Sequence, residues 1–158
     1  MKIDPDTGII EFLPELILRP GMNRREILAL DVGWEDWNVV DNVPWAFRAI
    51  IKLPNKTISP KTILIVYVGL DDRPLAFWDV TPWDLVNGKQ NRPEGKCTRR
   101  LRAWFKESVN VSLPIKKKWG HVDASFDPWN QTGGVVCNYR ERFNSDEEWS
   151  EYKKNNKY

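Results

Sequence analysis

The chain has 158 residues, of which 41 % are hydrophobic and 29 % charged, so its composition is that of one globular domain and excludes a disordered chain. Its net charge of +2 is unevenly distributed: residues 1–50 hold nine acids against five bases, and residues 89–118 hold ten bases against two acids. No apolar run approaches the ~20 residues that span a bilayer, and the N-terminus has no apolar signal core, so we expect a cytoplasmic protein, or one whose leader is missing from this sequence.

The first predicted elements are two short strands, over residues 9–12 and 16–18. A turn over residues 4–8 precedes them, and Pro14 separates them. Because proline cannot donate a hydrogen bond to a strand ladder, we expect these strands to form an edge hairpin.

A short helix is predicted over residues 24–30. Asn23 is a suitable N-cap, and Glu26, three residues later, is placed to reach back to it as in a capping box. The segment that follows, residues 33–38, holds two tryptophans and two acids, and we predict that it is a loop.

Three strand-like segments follow, over residues 45–53, 62–68 and 75–80, and short turns separate them. The middle segment is β-branched and apolar on both faces, which is typical of a central strand. Successive strands with short connections predict an antiparallel meander. We expect residues 81–95 to be irregular, with one helical turn after Pro82.

The main helix is predicted over residues 93–109. Its apolar residues recur at helical spacing, so they form one stripe that should face the sheet, with the aromatic side chains inward. Lysine and arginine occupy the remaining surface. The stripe consists of Cys97, Leu101, Trp104, Phe105 and Ser108.

A C-terminal hairpin is predicted from two alternating segments, residues 121–126 and 135–140. Side chains on a strand point to opposite faces in turn, so we expect one buried face and one wet or half-wet face, with His121 and Asp123 on the latter. The connecting loop, residues 127–134, is too long for a two-residue hairpin and carries Trp129.

Together these elements predict an α+β fold. The sheet is mostly antiparallel and is built from the N-terminal edge hairpin, the three-strand meander and the C-terminal hairpin. The main amphipathic helix packs across it, and a short helix lies near the N-terminus. We expect one domain over residues 1–144 and a charged C-terminal tail over residues 145–158.

Catalytic motifs are sparse in this sequence. His121 is the single histidine, and a Ser-His-Asp or Cys-His arrangement would have to use it. We interpret Cys97 and Cys137 as reduced, buried residues rather than as metal ligands or a disulfide. A carboxylate-only site remains open, built from Asp71 and Asp72 with Asp79 or Asp84, although clustered acids in turns are more often solvated charge.

Nine tryptophans are many for this length, and four of them lie in predicted loops beside acids, proline or glycine. Exposed loop aromatics flanked by charge are typical anchors for protein–protein contacts. The alternative is that each folds back over the edge of the core. The four are Trp34, Trp37, Trp83 and Trp129.

Nucleic-acid binding is a competing interpretation of the basic helix and of the lysines at 116–118, because they could contact phosphates. Two features count against it. The aromatic residues of the helix fall on its apolar stripe, where they should be buried, and the rest of the chain is acidic. A solvated helix face followed by a basic loop is the simpler interpretation.

The order of the structural motifs carries a family resemblance over residues 1 to about 139. The motifs are Ile3-Asp4 with Thr7-Gly8-Ile9, the segment Leu18-Arg19-Pro20-Gly21-Met22-Asn23-Arg24-Arg25-Glu26-Ile27-Leu28, Trp45-Ala46-Phe47, Val68-Gly69-Leu70 with Pro74-Leu75, the helix with Trp104, and Trp119-Gly120-His121-Val122 with Phe126-Asp127-Pro128, Gly133-Gly134-Val135-Val136 and Tyr139. In this order the chain resembles small bacterial immunity proteins of contact-dependent growth inhibition (CdiI-like) and related toxin–immunity systems.

The resemblance implies a non-enzymatic inhibitor without cofactor or metal. Its partner would be a cognate toxin domain, expected to be the C-terminal nuclease of a contact-dependent inhibition effector, and it would act by covering the active site. Acids would pair with the basic substrate cleft, and a loop tryptophan would fill a pocket. The alternatives are a carboxylate-based hydrolase and a nucleic-acid binder that uses the basic helix. The expected partner-binding residues are Glu35, Asp36, Trp37, Asp71, Asp72, Trp83, Asp84 and Trp129.

Overall fold

The computed structural model describes residues 1–40, 43–53, 62–69, 74–86 and 93–140, with residues 145, 147 and 150. Side chains are described at these positions except at 36–40, 43–47, 69, 76 and 86. Most of the predicted tail, residues 145–158, therefore lies outside the described residues. Within the described ranges, no helix is both long enough and apolar enough to cross a membrane.

Strands and helices alternate irregularly along the described chain. They are β1 (Lys2–Ile3), β2 (Ile10–Leu13), β3 (Leu16–Leu18), α1 (Arg24–Leu28), β4 (Asp36–Val40), β5 (Val43–Leu53), β6 (Thr62–Gly69), β7 (Leu75–Pro82), α2 (Trp83–Val86), α3 (Glu94–Val109), β8 (Ile115–Lys117), β9 (Gly120–Asp127) and β10 (Thr132–Tyr139).

The strands form two sheets, and every pair of neighbouring strands is antiparallel. A three-stranded sheet has the order β1-β2-β3, and a seven-stranded sheet has the order β4-β5-β6-β7-β10-β9-β8. The predicted meander and the predicted C-terminal hairpin meet where β7 pairs with β10. The α+β prediction is confirmed.

The N-terminal hairpin forms as predicted, but it belongs to its own small sheet and packs on the large one. Phe12 of β2 meets Trp78 of β7 edge to face, with the ring centroids 5.2 Å apart. The Tyr139 hydroxyl accepts a hydrogen bond from the Trp78 indole at 3.1 Å and donates one to the Gly8 carbonyl at 3.1 Å. These contacts fix the small sheet over one face of the large sheet.

The helix α1 carries the predicted capping box. The Asn23 side chain accepts from the Glu26 amide at 3.0 Å, and the Glu26 carboxylate accepts from the Asn23 amide at 2.9 Å. The helix ends at Leu28, two residues earlier than predicted. Its start lies near the beginning of β7, because the Leu75 amide donates to the Met22 carbonyl.

The prediction of a loop over residues 33–38 is wrong in its second half, where β4 begins at Asp36. The backbone of β4 pairs with β5, with Asp36 opposite Ile50 and Trp37 opposite Ala49. A neighbouring strand supplies the hydrogen-bond partners that stabilise this strand, and a local sequence pattern contains no sign of that neighbour.

The main helix α3 matches its prediction closely. Its buried side chains are Cys97, Leu101, Trp104 and Phe105, and they belong to the same hydrophobic core as the buried sheet residues. The helix contacts β9, β10 and β1. Cys97 and Cys137 are both free and buried, as predicted.

The prediction that His121 and Asp123 of β9 are exposed to solvent is wrong. His121 is 5 % exposed and Asp123 is 3 % exposed. Asp123 is buried with a partner, because Arg102 of α3 donates two hydrogen bonds to its carboxylate, at 2.9 and 2.7 Å. Burial lowers the pKa of His121, so the ring is neutral near pH 7.

Candidate partner-binding surface

One end of the large sheet gathers several of the predicted contact residues. Because β7 and β9 are both antiparallel to β10, which lies between them, their last residues, Pro82 and Asp127, reach the same end. The helix α2 starts directly after β7, and the β9–β10 loop starts directly after β9. Two strand spacings separate these segments, roughly 10 Å. We call this end of the large sheet the strand-end surface, and we define it by Glu35, Trp83, Asp84 and Trp129.

The loop that carries Trp129 is held by Asp127. The Asp127 carboxylate accepts from the backbone amides of Trp129 at 2.8 Å and Asn130 at 3.3 Å, and from the Asn130 side chain at 2.6 Å. These bonds lower the pKa of Asp127, with the Asn130 side chain as the largest cause. Gln131 has a φ of 52° and donates its side-chain amide to the Pro128 carbonyl. The loop is therefore an ordered turn, and it presents Trp129 with 90 % of its surface exposed.

Trp83 and Asp84 form the first turn of α2, which contacts α3 and β10. Trp83 is 43 % exposed and Asp84 is also exposed. A large aromatic side chain next to an exposed carboxylate is a suitable contact for a partner with an apolar pocket beside a cation. The structure thus brings Trp83 and Asp84 to the same end as Trp129.

Glu35 reaches the same end from the other side of the sheet. It precedes β4, and its amide donates to the Ile50 carbonyl at 2.8 Å. Its exposed carboxylate pairs with Lys52 at 2.8 Å. Five strand spacings separate β4 from β9, roughly 24 Å, which is the width of an ordinary protein–protein interface.

The other predicted residues lie apart from this set. Trp34 is partly buried and packs against the core, so it folds back rather than standing out. The side chains of Asp36 and Trp37, and the whole of Asp71 and Asp72, lie outside the described residues.

Sequence reasoning missed a second surface, on the face of the large sheet opposite to Trp78. Cross-strand pairing places Ile50, Ile65, Asp79 and Val136 in one row across four adjacent strands. Their side chains are partly exposed, and a neighbouring row holds Tyr67 stacked on Phe77, with ring centroids 4.1 Å apart. We call this the outward face, defined by Ile50, Ile63, Ile65, Tyr67, Phe77, Asp79, Thr81 and Val136.

Asp79 places a carboxylate in the middle of that face. Its Oδ1 accepts a hydrogen bond from the Thr81 hydroxyl at 3.2 Å. Burial raises the pKa of Asp79 to about 6. The available sequence signal was the alternation along β7, because Phe77 and Trp78 point to opposite faces and Asp79 must share the face of Phe77.

Neither surface has the geometry of a catalytic site. Among the described residues, no group of three or more His, Cys, Asp or Glu side chains could hold a metal ion. Asp79 lies on the sheet face and Asp84 on the exposed turn of α2, while His121 is buried elsewhere on β9. The described part of the chain offers surfaces for contact rather than converging reactive groups.

Comparison with known proteins agrees with a contact function. The model of the family described as RhsI1 immunity protein matches residues 1–158. A chain of the solved structure described as "Rhs1-CT in complex with cognate immunity protein RhsI1" is 31 % identical to this one, with a TM-score of 0.77. The match covers 99 % of this chain and 97 % of that chain. No curated protein matches.

Proposed function

Because the chain belongs to the RhsI1 immunity protein family, we propose that it neutralises the C-terminal toxin domain of a cognate Rhs protein by binding to it. Members of this family are immunity proteins and not enzymes, so the expectation of a non-enzymatic protein is confirmed. The expected partner is corrected: the toxin bound in the matching solved structure is the C-terminal domain of an Rhs protein, not a contact-dependent inhibition effector.

The observation that carries this proposal is the full-length match to a protein solved in complex with its toxin domain. At 31 % identity and a TM-score of 0.77 over nearly the whole of both chains, the scaffold is shared while most residues differ. A shared scaffold with a divergent sequence fits an inhibitor that recognises one toxin and rejects related ones.

The strand-end surface supports a specific way of binding. Trp129 is a large exposed aromatic on an ordered turn, so little conformational entropy is lost when it enters a pocket. Trp83 supplies a second apolar contact, and the exposed Asp84 supplies negative charge beside it. Glu35 lies at the far edge of the surface, where a cation of the toxin would compete with Lys52 for its carboxylate. We propose that this surface covers the substrate cleft of a nuclease, whose basic residues would pair with the acids.

The nucleic-acid alternative has less support. Arg102 of α3 is occupied by Asp123, and the aromatic residues Trp104 and Phe105 are buried, so they are not available to stack on bases.

Co-expression tests the proposal. The C-terminal domain of the cognate Rhs protein is induced in a bacterial host, with and without this chain, and growth and co-purification are measured. We expect growth to be restored and a stable complex to co-purify. Arrested growth in the presence of well-folded immunity chain, with no complex formed, would overturn the proposal for that pair. Loss of nuclease activity on adding the chain would support the nuclease assignment, and a toxin domain without nuclease activity would contradict it.

A further inference from the structure

The outward face continues directly into the strand-end surface. Pairing places Lys52, Ile63 and Thr81 in one row across β5, β6 and β7. The chain runs from Thr81 through Pro82 to Trp83, so this row borders the strand-end surface. A partner domain that rests on the strand ends can therefore also cover the adjoining face without crossing a gap.

Asp79 is poorly satisfied for an acid in an apolar setting. Its cross-strand neighbours are Ile65 on β6 and Val136 on β10. In the described part of the chain, its carboxylate accepts one hydrogen bond, from Thr81. A carboxylate has about four acceptor positions, and leaving a charge desolvated with few donors costs free energy. A cationic side chain brought in by a partner would supply the missing donors.

The charged side chains near Asp79 do not supply these missing hydrogen-bond donors. Lys52 lies on the next row and pairs with Glu35 at 2.8 Å. Arg48 is on β5, two strands away from β7, and it pairs with Tyr67 of β6. On β9, Asp123 pairs with Arg102, and His121 is held neutral by burial. None of these side chains forms an ion pair with Asp79 within the described ranges.

We propose that the outward face is a second contact surface for the same toxin domain, which places an arginine or lysine side chain against Asp79 within a ring of apolar contacts. The inference rests on the proposed function and adds to it a binding residue and the chemistry of its partner. Ile65 and Val136 flank the acid in its row, and Ile50 lies beyond Ile65. A bound partner that covers these side chains would exclude water from the ion pair and strengthen it. A buried charge pair of this kind determines which toxin is accepted.

The test is calorimetric titration of the purified toxin domain into wild-type chain and the Asp79→Asn variant. The amide keeps the shape of the side chain and removes its charge. We expect affinity to fall at least tenfold while the thermal midpoint of the free variant at pH 7 rises. A merely structural role would move stability and affinity down together.

A matched pair of variants tests the apolar ring. Ile50→Ala removes a partly exposed isoleucine from the outward face, and Ile17→Ala removes an exposed one from the small sheet. We expect weaker binding from the first variant and unchanged binding from the second. Equal affinities of Asp79→Asn and wild type would overturn this inference alone, whereas wild-type chain that fails to bind would overturn the proposed function with it.

Discussion

The carboxylate of Asp79 occupies the space beside Gly134 on the neighbouring strand: a Cβ at Gly134 would lie 2.1 Å from Asp79 Oδ1. The same Cβ would lie 2.8 Å from the Thr81 hydroxyl oxygen and 2.9 Å from the Val80 carbonyl oxygen. Real side-chain atoms do not approach so closely. Glycine at 134 is therefore the residue that lets β10 pair with β7 while an acid lies flat on the outward face.

Gly134→Ala should destabilise the chain, because the added methyl group must displace the Asp79 side chain or the strand itself. We expect a loss of about 1–3 kcal/mol in the free energy of unfolding, measured by urea denaturation. Gly95→Ala is the control, since its Cβ would meet only the end of the Arg99 side chain at 3.9 Å. That control lies in α3 and should gain a few tenths of a kcal/mol or more. Equal stability of Gly134→Ala and wild type would contradict this packing.

Asp79→Asn should stabilise the free protein at pH 7. Burial raises the pKa of Asp79 from 3.8 to about 6, so the folded state holds the proton more tightly than the unfolded chain. The contribution of Asp79 to stability therefore rises as the pH falls from 7 through 6, and it levels off below 3.8. The amide should remove that dependence and add about 1–3 kcal/mol at pH 7. Thermal unfolding of wild type and Asp79→Asn between pH 4 and 8 measures this pH dependence. Parallel curves of thermal midpoint against pH would refute the raised pKa of Asp79.

His121 should titrate below its ordinary pKa of 6.5, because burial disfavours the charged ring. The unfolded chain then binds the proton more readily, so this residue costs stability as the pH falls below 6.5, opposite in sign to Asp79. The sequence contains one histidine, so its NMR signal needs no assignment. A midpoint at or above 6.5 in the folded protein would contradict this effect of burial, since attraction to the Asp123 carboxylate would then outweigh it.

Arg102→Met should destabilise the chain by about 1–3 kcal/mol, because it removes two hydrogen-bond donors from the buried Asp123 carboxylate. The backbone amide of Ala124, at 2.8 Å, would then be the remaining donor among the described residues. Arg99→Met, at an exposed position of the same helix, should change stability by less than about 0.5 kcal/mol. Denaturant unfolding compares the two variants. Adding Asp123→Asn to Arg102→Met should recover part of the loss, and no recovery would mean that the ion pair is not the cause.

Much of the fold was predictable from residues that act locally. Asn23 and Glu26 specify the start of α1 through hydrogen bonds within one turn. The helical spacing from Cys97 to Phe105 specifies the buried side of α3. The exposed Trp129 was also predictable, because Asp127-Pro128 at one side and two glycines at the other make a turn that has no apolar neighbour in sequence.

What could not be predicted depends on partners distant in sequence. Asp123 is buried because Arg102 reaches it from another element, and β4 exists because β5 pairs with it. The outward face was hidden for a related reason. The isoleucines of β6 predict a central strand, which is correct, but β6 is central in a sheet whose second face stays partly exposed.

The affinity of the Trp129→Ala variant for the cognate Rhs toxin domain tests most directly whether the strand-end surface binds the toxin. Leu28→Ala is the matched control, because Leu28 is 43 % exposed on α1, which begins near the opposite end of β7 from Trp83. We expect Trp129→Ala to bind at least tenfold more weakly, with unchanged thermal stability, and Leu28→Ala to bind like wild type. Equal affinities for wild type and both variants would contradict binding through this surface.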